Sequence, residues 1–360
     1  MMAGNECGQN KSETGIVLGF VEEVELWQLR SSQFPSKVGG KPAWLSQSDL
    51  PGGSELECEK CHLPTAFLLQ VYAPILGQDR SFHRTIFVFC CKTPSCYSRN
   101  DSRCFKVFRS QLARKNDFYP YDPPPDEDPK ESDALKSGIK LCGLCGCIGP
   151  KTCSRCHAVN YCSKEHQTID WKAGHKNECA GKEPSCSDHL NTFIFPEFAL
   201  VTEAEELPAE DEKPCNTPEE EKQSLELHAS DDGSAMEEKE LQDMAMHETK
   251  DSKVFQKFKQ RTASEPEQVL RYCRMGSPLW VSSEHIPKDK DIPKCSCGAR
   301  RLFELQVMPQ LLNYLHVDSP GDSIDWGTLL VYTCEDSCDH GNKYSPEFLW
   351  KQDIGGDGTV

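Results

Sequence analysis

Closely spaced cysteine pairs constrain the fold of this chain more than any other feature of its sequence. There are 21 cysteines among 360 residues, a density that serves either a disulfide framework or a set of metal sites. Residues 1–15 are polar and lack the cationic start and apolar stretch of a signal peptide. No apolar run approaches the roughly 18–20 residues that span a bilayer. The sequence therefore predicts a soluble intracellular protein whose reduced cysteines bind metal ions.

The middle of the chain carries eight candidate metal ligands in four close pairs. In chain order they are Cys142 and Cys145, Cys153 and Cys156, Cys162 and His166, and His175 and Cys179. Pairs at this spacing come from a tight knuckle or from one helical turn, so both side chains can face one ion. Eight ligands suffice for two tetrahedral zinc sites, and such closed sites leave no position for a catalytic water. We therefore predict structural zinc here, with Cys147 left over as a non-ligand.

The residues around these pairs resemble a MYND zinc finger, with Tyr161-Cys162-Ser163, His166-Gln167 and Asp170-Trp171 in the family's order. The resemblance implies a cross-brace in which ligands alternate between two zinc ions. One ion would be bound by Cys142, Cys145, Cys162 and His166, and the other by Cys153, Cys156, His175 and Cys179. MYND fingers bind short peptides that contain Pro and Leu, and Gln167 and Trp171 match positions that line the peptide groove in corepressor-binding relatives. For Trp171, packing against the zinc scaffold is an equal alternative.

The segments on either side of the finger repeat one another. Pro42-Ala43-Trp44-Leu45 is echoed by Pro278-Leu279-Trp280-Val281, and each is followed by a cysteine pair, a strand-like run and an apolar run that ends in cysteine. The shared order of these features indicates a duplicated half-domain, in which Trp44 and Trp280 should occupy equivalent buried positions. Apolar runs of this length, rich in Phe, Val and Tyr and bounded by Gly, Pro and Cys, predict β-strands.

Neighbouring strands would bring the cysteine pairs of each half together as a four-thiolate zinc site, with buried reduced thiols as the alternative. The first site would use Cys58, Cys61, Cys96 and either Cys90 or Cys91, with Cys90 taken as the fourth ligand. The second would use Cys295, Cys297, Cys334 and Cys338. The chain is thus predicted to bind two zinc ions in the finger and one or two more in the outer halves.

The negative charge of the chain is concentrated in one segment. The whole chain has 40 Lys and Arg against 57 Asp and Glu, a net charge of -17, and Val201–Lys250 alone has 17 acidic residues against 4 Lys. Such a segment buries too little apolar area to offset its ordering entropy, so it is predicted to be a disordered linker. It serves either as a plain spacer or as an electrostatic attractor for a basic partner.

These features predict a mainly β protein of the α+β class: two similar zinc-containing halves form a duplicated domain with an inserted finger. The predicted organisation is a disordered N-terminus (1–14), an N-terminal half (15–120), a proline-rich acidic linker (121–137), the finger region (138–198, with the finger at 142–179), the acidic linker (199–250), a C-terminal half (251–353) and a tail (354–360).

Most of the chain resembles the finger-bearing branch of the programmed cell death protein 2 family. The segments that carry the resemblance are Gln33–Leu45, Leu69–Pro74, Arg109–Tyr119, Pro266–Tyr272, Gln306–Leu312 and Ile324–Gly327. The resemblance implies a dedicated chaperone, monomeric and found in the cytoplasm and nucleus, that captures one newly made small-subunit ribosomal protein. The alternative that it implies is a nuclear regulator of cell proliferation and death, which binds DNA or recruits corepressors through the finger.

The residues favour the chaperone over the regulator and over any enzyme. An acidic chain is complementary to a basic ribosomal protein and repels nucleic-acid phosphate. No glycine-rich nucleotide loop, Gly-x-Ser-x-Gly elbow or methyltransferase core motif is present in the sequence. The predicted partners are therefore a basic ribosomal client and Pro/Leu-containing peptides at the finger, without a membrane and with direct DNA binding disfavoured.

Overall fold

Among the described residues, strands are the main regular secondary structure, as the short apolar runs of the sequence predict. The computed structural model describes residues 15–128, 138–179, 193–206, 250–317 and 323–354. The strands are β1 Val17–Glu22, β2 Lys37–Val38, β3 Ala66–Tyr72, β4 His83–Cys90, β5 Phe105–Leu112, β6 Lys151–Thr152, β7 Asn160–Tyr161, β8 Phe198–Ala204, β9 Leu270–Tyr272, β10 Arg301–Val307, β11 Thr328–Cys334, β12 Ser345–Pro346 and β13 Phe348–Gln352. The predicted N-terminal segment 1–14 and nearly all of the tail lie outside the described residues.

The described part of the chain contains fewer helical residues than strand residues. Helix α1, Lys164–Asp170, continues through a π-helical turn at Trp171–His175 and a last turn at Lys176–Glu178. Helix α2 covers residues 250–263 and packs through Phe258 on the C-terminal half. Helix α3 is the single turn Leu311–Tyr314. Among the helices that the structure describes, none has the length and apolarity of a membrane span.

Eleven strands form one antiparallel sheet that joins the two halves. Its order is β12-β5-β4-β3-β2-β8-β1-β9-β10-β11-β13, and β6 and β7 form a separate ribbon in the finger. Only Glu347 separates β12 from β13. Because β12 pairs with β5 and β13 pairs with β11, this last segment connects the two ends of the sheet and closes it. The predicted mainly β class is confirmed.

The predicted duplication is visible in the details of the sheet. The β3–β4 ladder shifts register between Phe67 and Leu69, and the β10–β11 ladder shifts between Phe303 and Leu305, 236 residues later. Gln70 clamps the backbone of Ala43, donating to its carbonyl at 3.2 Å and accepting from its N–H at 2.9 Å. Gln306 does the same to Leu279, at 2.7 and 2.9 Å.

These clamps place Trp44 and Trp280 equivalently, because each tryptophan follows a clamped residue. The expectation that both are buried is wrong for one of them. Trp44 is 1 % exposed, whereas Trp280 remains partly open to solvent. The finger makes the difference, since it lies over Trp44 and contributes its cysteines to the same hydrophobic cluster.

A buried ion pair crosses the interior between the halves. Arg84 on β4 and Glu304 on β10 both have 0 % side-chain exposure, and the two guanidinium nitrogens lie 2.5 and 2.7 Å from the two carboxylate oxygens. Burial alone would raise the pKa of Glu304, but the Arg84 charge outweighs it and lowers that pKa. Valines and leucines of both halves surround the pair in one continuous core.

The predicted boundary of the acidic linker at residue 199 is wrong. Residues 198–204 form β8, which pairs with β1 through residues 199–204 and with β2 through residues 198–199. Ion pairs hold the residues that flank both ends of β8. Lys37 pairs with Glu197 before the strand, and Arg271 pairs with Glu205 after it, at an N–O distance of 2.6 Å. The charge count over the wider window obscured this strand, which begins with four consecutive apolar residues, 198–201. The remaining linker residues, 207–249, and residues 129–137 of the proline-rich linker lie outside the described part of the chain.

Candidate metal centres

The finger brings its eight predicted ligands together in two sets of four. In the first set, Cys142 and Cys145 flank a tight turn closed by the Gly146 N–H, which donates to the Cys142 carbonyl at 2.9 Å. Gly146 needs its φ of +74°, which side chains disfavour. Cys162 follows β7, and His166 sits in the first turn of α1, where its N–H donates to the capping Ser163 hydroxyl at 3.1 Å.

The second set combines a knuckle with a helical turn. Cys153 and Cys156 form the knuckle, and His175 and Cys179 lie one turn apart at the end of the helix. The Cys156 Sγ and His175 Nε2 atoms are 3.6 Å apart, and the Cys153 and Cys179 Sγ atoms are 3.9 Å apart. The two sets alternate along the sequence, which is the cross-brace that the MYND resemblance implied.

The N-terminal half brings together Cys58, Cys61, Cys91 and Cys96. Cys91 therefore replaces Cys90, the fourth ligand of the prediction. Cys90 is the last residue of β4, and although it is as deeply buried as Cys91, its thiol lies outside the group of four. Because side chains alternate between the faces of a strand, the next residue points the other way, and the Cys91 Sγ lies 3.6 Å from that of Cys61.

The C-terminal half groups Cys295, Cys297, Cys334 and Cys338 as predicted from spacing. The one-residue gap of the first pair is accommodated by Gly298, which has a φ of +94° and donates its N–H to the Cys295 carbonyl at 2.9 Å. Arg109 of the other half reaches this site and donates to the Cys338 carbonyl at 3.1 Å. The site thus lies against the junction of the two halves.

The geometry of all four groups fits tetrahedral zinc. Zn–S bonds of about 2.3 Å in a tetrahedron set the sulfurs about 3.8 Å apart. The closest Sγ–Sγ distances in the four groups run from 3.5 to 3.9 Å, and the ligand atoms of each group all lie within 4.8 Å of one another. Soft thiolates with imidazole favour zinc over harder cations. Since four protein donors fill each group, bound zinc would be structural.

Each group also contains a thiol that is easily ionised. Backbone N–H groups and His175 lower the pKa of Cys153 to about 6. Burial raises the pKa of Cys61 and Cys295, but neighbouring N–H and thiol donors more than offset it and bring both to about 7. Hydrogen bonds from neighbouring thiols lower the pKa of Cys142 further. Since the thiolate is the form that binds metal, these residues favour metal capture at neutral pH.

Gln167 and Trp171, the predicted peptide-binding residues, lie one turn apart on the finger helix and are both partly exposed. Residues four apart share a helix face, so the two side chains can contact one ligand. The Trp171 ring also packs edge-on against His175, with centroids 5.8 Å apart. Trp171 therefore supports the zinc scaffold whether or not it also contacts a peptide.

The sequence did not predict that the finger packs against the N-terminal half. The Trp44 indole N–H donates to the Gly146 carbonyl at 2.8 Å, and Lys41 donates to the Gly143 carbonyl at 2.5 Å. Leu144 and Cys147 pack into the cluster of Trp44. The one sequence feature that could have indicated this contact is Cys147, a cysteine left over from the ligand pairs. The structure shows that it is buried in the contact.

The comparisons with known proteins cover the same three regions. The model described as Programmed cell death protein 2, N-terminal domain, matches residues 15–126, its C-terminal putative domain matches residues 252–353, and the MYND finger matches residues 142–179. Programmed cell death protein 2 of Rattus norvegicus is 52 % identical over 349 residues, covering 94 % of this chain and 96 % of the relative. The Bos taurus protein of that name is 53 % identical over 345 residues, with the same coverage. Programmed cell death protein 2-like of Homo sapiens is 29 % identical, covering 86 % of this chain and 87 % of the relative. No solved structure matches the chain.

Proposed function

We propose that this chain, which belongs to the programmed cell death protein 2 family, is a non-enzymatic zinc-scaffolded protein that captures a basic small-subunit ribosomal protein. It acts as a monomer that holds its client in the cytoplasm and accompanies it to the nucleus. Zinc stabilises the binding scaffold and takes no part in chemistry, because protein donors fill each of the four candidate sites.

The observation that carries the proposal is the distribution of negative charge. Segment 207–249 has 14 Asp and Glu against 3 Lys, a net of -11 out of -17 for the chain. It begins directly after Glu206, which lines a cleft of about 400 Å³ together with Glu203 and Glu265, whereas the buried Glu205 of this cleft is neutralised by Arg261 and Arg271. Negative charge is thus continuous from the folded surface into the segment.

This charge favours a basic protein over a nucleic acid. Long-range attraction accelerates the association of oppositely charged partners, and the same field repels phosphate. A newly made ribosomal protein is basic and needs shielding from stray RNA. An acidic carrier supplies that shielding until the client is handed to its proper site.

A second candidate function rests on the finger helix. The shared face of Gln167 and Trp171 suits a short peptide that contains Pro and Leu, so the finger would recruit corepressors or other factors to a nuclear regulator. This activity is compatible with client capture, because the peptide face and the acidic cleft involve different elements.

The test is a capture experiment with defined probes. Tagged full-length protein is mixed either with proteins extracted from purified small ribosomal subunits or with a library of duplex DNA, at 0.05 and about 0.15 M salt. Retention of one basic ribosomal protein at both salt concentrations supports the proposal. Sequence-dependent retention of duplex DNA, with no ribosomal protein held, would replace it with the regulator.

A further inference from the structure

The C-terminal half carries an apolar surface on the outside of the sheet, here called the C-terminal aromatic face. Its buried base is Phe303, Leu330 and Tyr332, and Trp280, Ile292, Phe348 and Trp350 pack on this base. Trp280, Phe348 and Trp350 are all partly exposed. The Trp350 ring stacks on His285 and its indole N–H donates to the His285 carbonyl at 2.9 Å, whereas Trp280 and Phe348 form the accessible centre of the face. A contiguous apolar patch that stays accessible on a folded protein marks an interaction site.

This face is a copy of the surface on which the finger sits. In the N-terminal half, Phe67 pairs across the ladder with Phe89, as Phe303 pairs with Tyr332 in the C-terminal half. The next pairs also correspond, since Phe87 faces Phe108 where Leu330 faces Trp350. Leu56 and Ile292, again 236 residues apart, pack on the respective clusters.

The two copies differ in what covers them. On the N-terminal copy, the covering residues come from the finger and also include Tyr344, which packs edge-on against Trp44 and Phe87. The five residues of this copy that are at most 3 % exposed are Trp44, Phe67, Phe87, Phe89 and Phe108. The finger satisfies the Trp44 indole N–H with the Gly146 carbonyl. On the C-terminal copy, the part of the chain that the structure describes offers no acceptor to the Trp280 indole N–H, and no second finger lies above it.

The C-terminal copy is also the more apolar of the two at its edge. Phe348 faces Tyr332 on the last strand, at the position where Lys106 faces Phe89 in the N-terminal half. The Lys106 ammonium is directed to Glu59 at 2.6 Å. A charged rim on the covered copy is thus replaced by an aromatic ring on the open copy, which enlarges its apolar surface.

We infer that the C-terminal aromatic face binds the client directly, and this inference rests on the proposed function for the identity of the occupant. The finger indicates the contact chemistry: a tight turn that presents an aliphatic side chain, as Leu144 does, and a carbonyl that accepts from the Trp280 indole. The net charge of -17 draws a basic protein to the chain, and the aromatic face supplies the specific contact. A second copy of this chain is disfavoured as occupant because it carries the same charge.

The first test uses the wild-type chain and hydroxyl-radical footprinting. The protein is oxidised alone and after incubation with proteins extracted from small ribosomal subunits. Trp280 and Trp350 should be oxidised at least about threefold more slowly in the complex, while Trp27, which is also partly exposed but lies outside the face, keeps its rate. Unchanged rates at Trp280 and Trp350 in a formed complex would overturn the inference. Protection that rises with the concentration of the chain alone would assign the face to a second copy and overturn it as well.

The second test compares variants. Trp280→Ser combined with Trp350→Ser should raise the dissociation constant of the client about thirtyfold or more, since buried tryptophans dominate interface energetics. Leu76→Ser removes a side chain that is 78 % exposed on the other half and should leave the constant within about threefold. Equal binding by the double variant and the wild type would overturn the inference and leave the proposed function intact. Failure of the wild type to bind any ribosomal protein would remove both.

Discussion

Replacing Glu304 with Gln should destabilise both halves of the protein together. The carboxylate accepts from both terminal nitrogens of Arg84, from the Tyr272 hydroxyl at 2.9 Å and from the Thr333 hydroxyl. Gln keeps one acceptor oxygen and places an NH₂ group against a guanidinium. The substitution therefore leaves a cation buried in the core without a counter-charge.

The magnitude follows from the burial of the pair. Both side chains have 0 % exposure, so water cannot solvate the charge that is left behind. Breaking such a pair by removing one partner costs about 3–5 kcal/mol, against a total stability of about 5–15 kcal/mol for a typical domain. Replacing both partners, as Arg84→Met with Glu304→Leu, should recover most of the loss, because neither member of the pair then leaves the other as an uncompensated buried charge.

Urea unfolding at pH 7 with saturating zinc provides the assay. With an m-value of about 3 kcal/mol/M, the loss lowers the midpoint by roughly 1–1.7 M. The matched control is Glu335→Gln, which breaks an ion pair to Arg300 of similar length, 2.7 Å, on the surface. Solvent screens that pair, so its removal should leave the midpoint almost unchanged. If Glu304→Gln shifts the midpoint no more than the control does, the two halves do not share the interior described above.

Three further predictions concern the metal sites and the client. Metal analysis should find four zinc ions per chain. The Cys91→Ser variant should lose one ion and the Cys90→Ser variant none. The opposite pattern would show that Cys90, the residue predicted from the sequence, is the fourth ligand. Deleting 207–249 should slow client association by roughly tenfold or more at low salt, measured by stopped flow, and the effect should shrink above about 0.15 M salt; equal rates would exclude electrostatic attraction by this segment. Ala substitutions at Gln167 and Trp171 should leave client capture intact and abolish binding of a Pro/Leu peptide in a titration, whereas loss of the client would place its site on the finger.

The sequence predicted well the features that depend on local spacing. Ligand pairs two or three residues apart identify themselves, because a knuckle or a helical turn fixes their geometry without reference to the rest of the chain. Strands β4 and β11 appear in the sequence as apolar runs. The repeat offset of 236 residues identifies Trp44 and Trp280 as equivalent positions of the two halves. These are properties of short segments, for which propensity and period are informative.

The features that sequence reasoning missed depend on distant parts of the chain or on single-residue register. Cys90 and Cys91 are chemically identical, and only the point at which β4 ends decides which thiol faces the metal. Strand β8 was not predicted, because the charge of the surrounding window is dominated by glutamates. In the structure, ion pairs from Lys37 to Glu197 and from Arg271 to Glu205 anchor its two ends. Closure of the sheet depends on the break at Glu347, a feature with no local signature.

The most direct test of client capture is to identify what the protein carries in cells. Tagged full-length protein would be cross-linked, purified at about 0.15 M salt and examined by quantitative mass spectrometry, with Leu76→Ser as the matched exposed-site control. We expect one basic small-subunit ribosomal protein at near-equal molar amount, retained by the control and lost from the variant that combines Trp280→Ser and Trp350→Ser. Recovery of chromatin proteins and DNA, with no ribosomal protein enriched, would contradict the account and support a nuclear regulator.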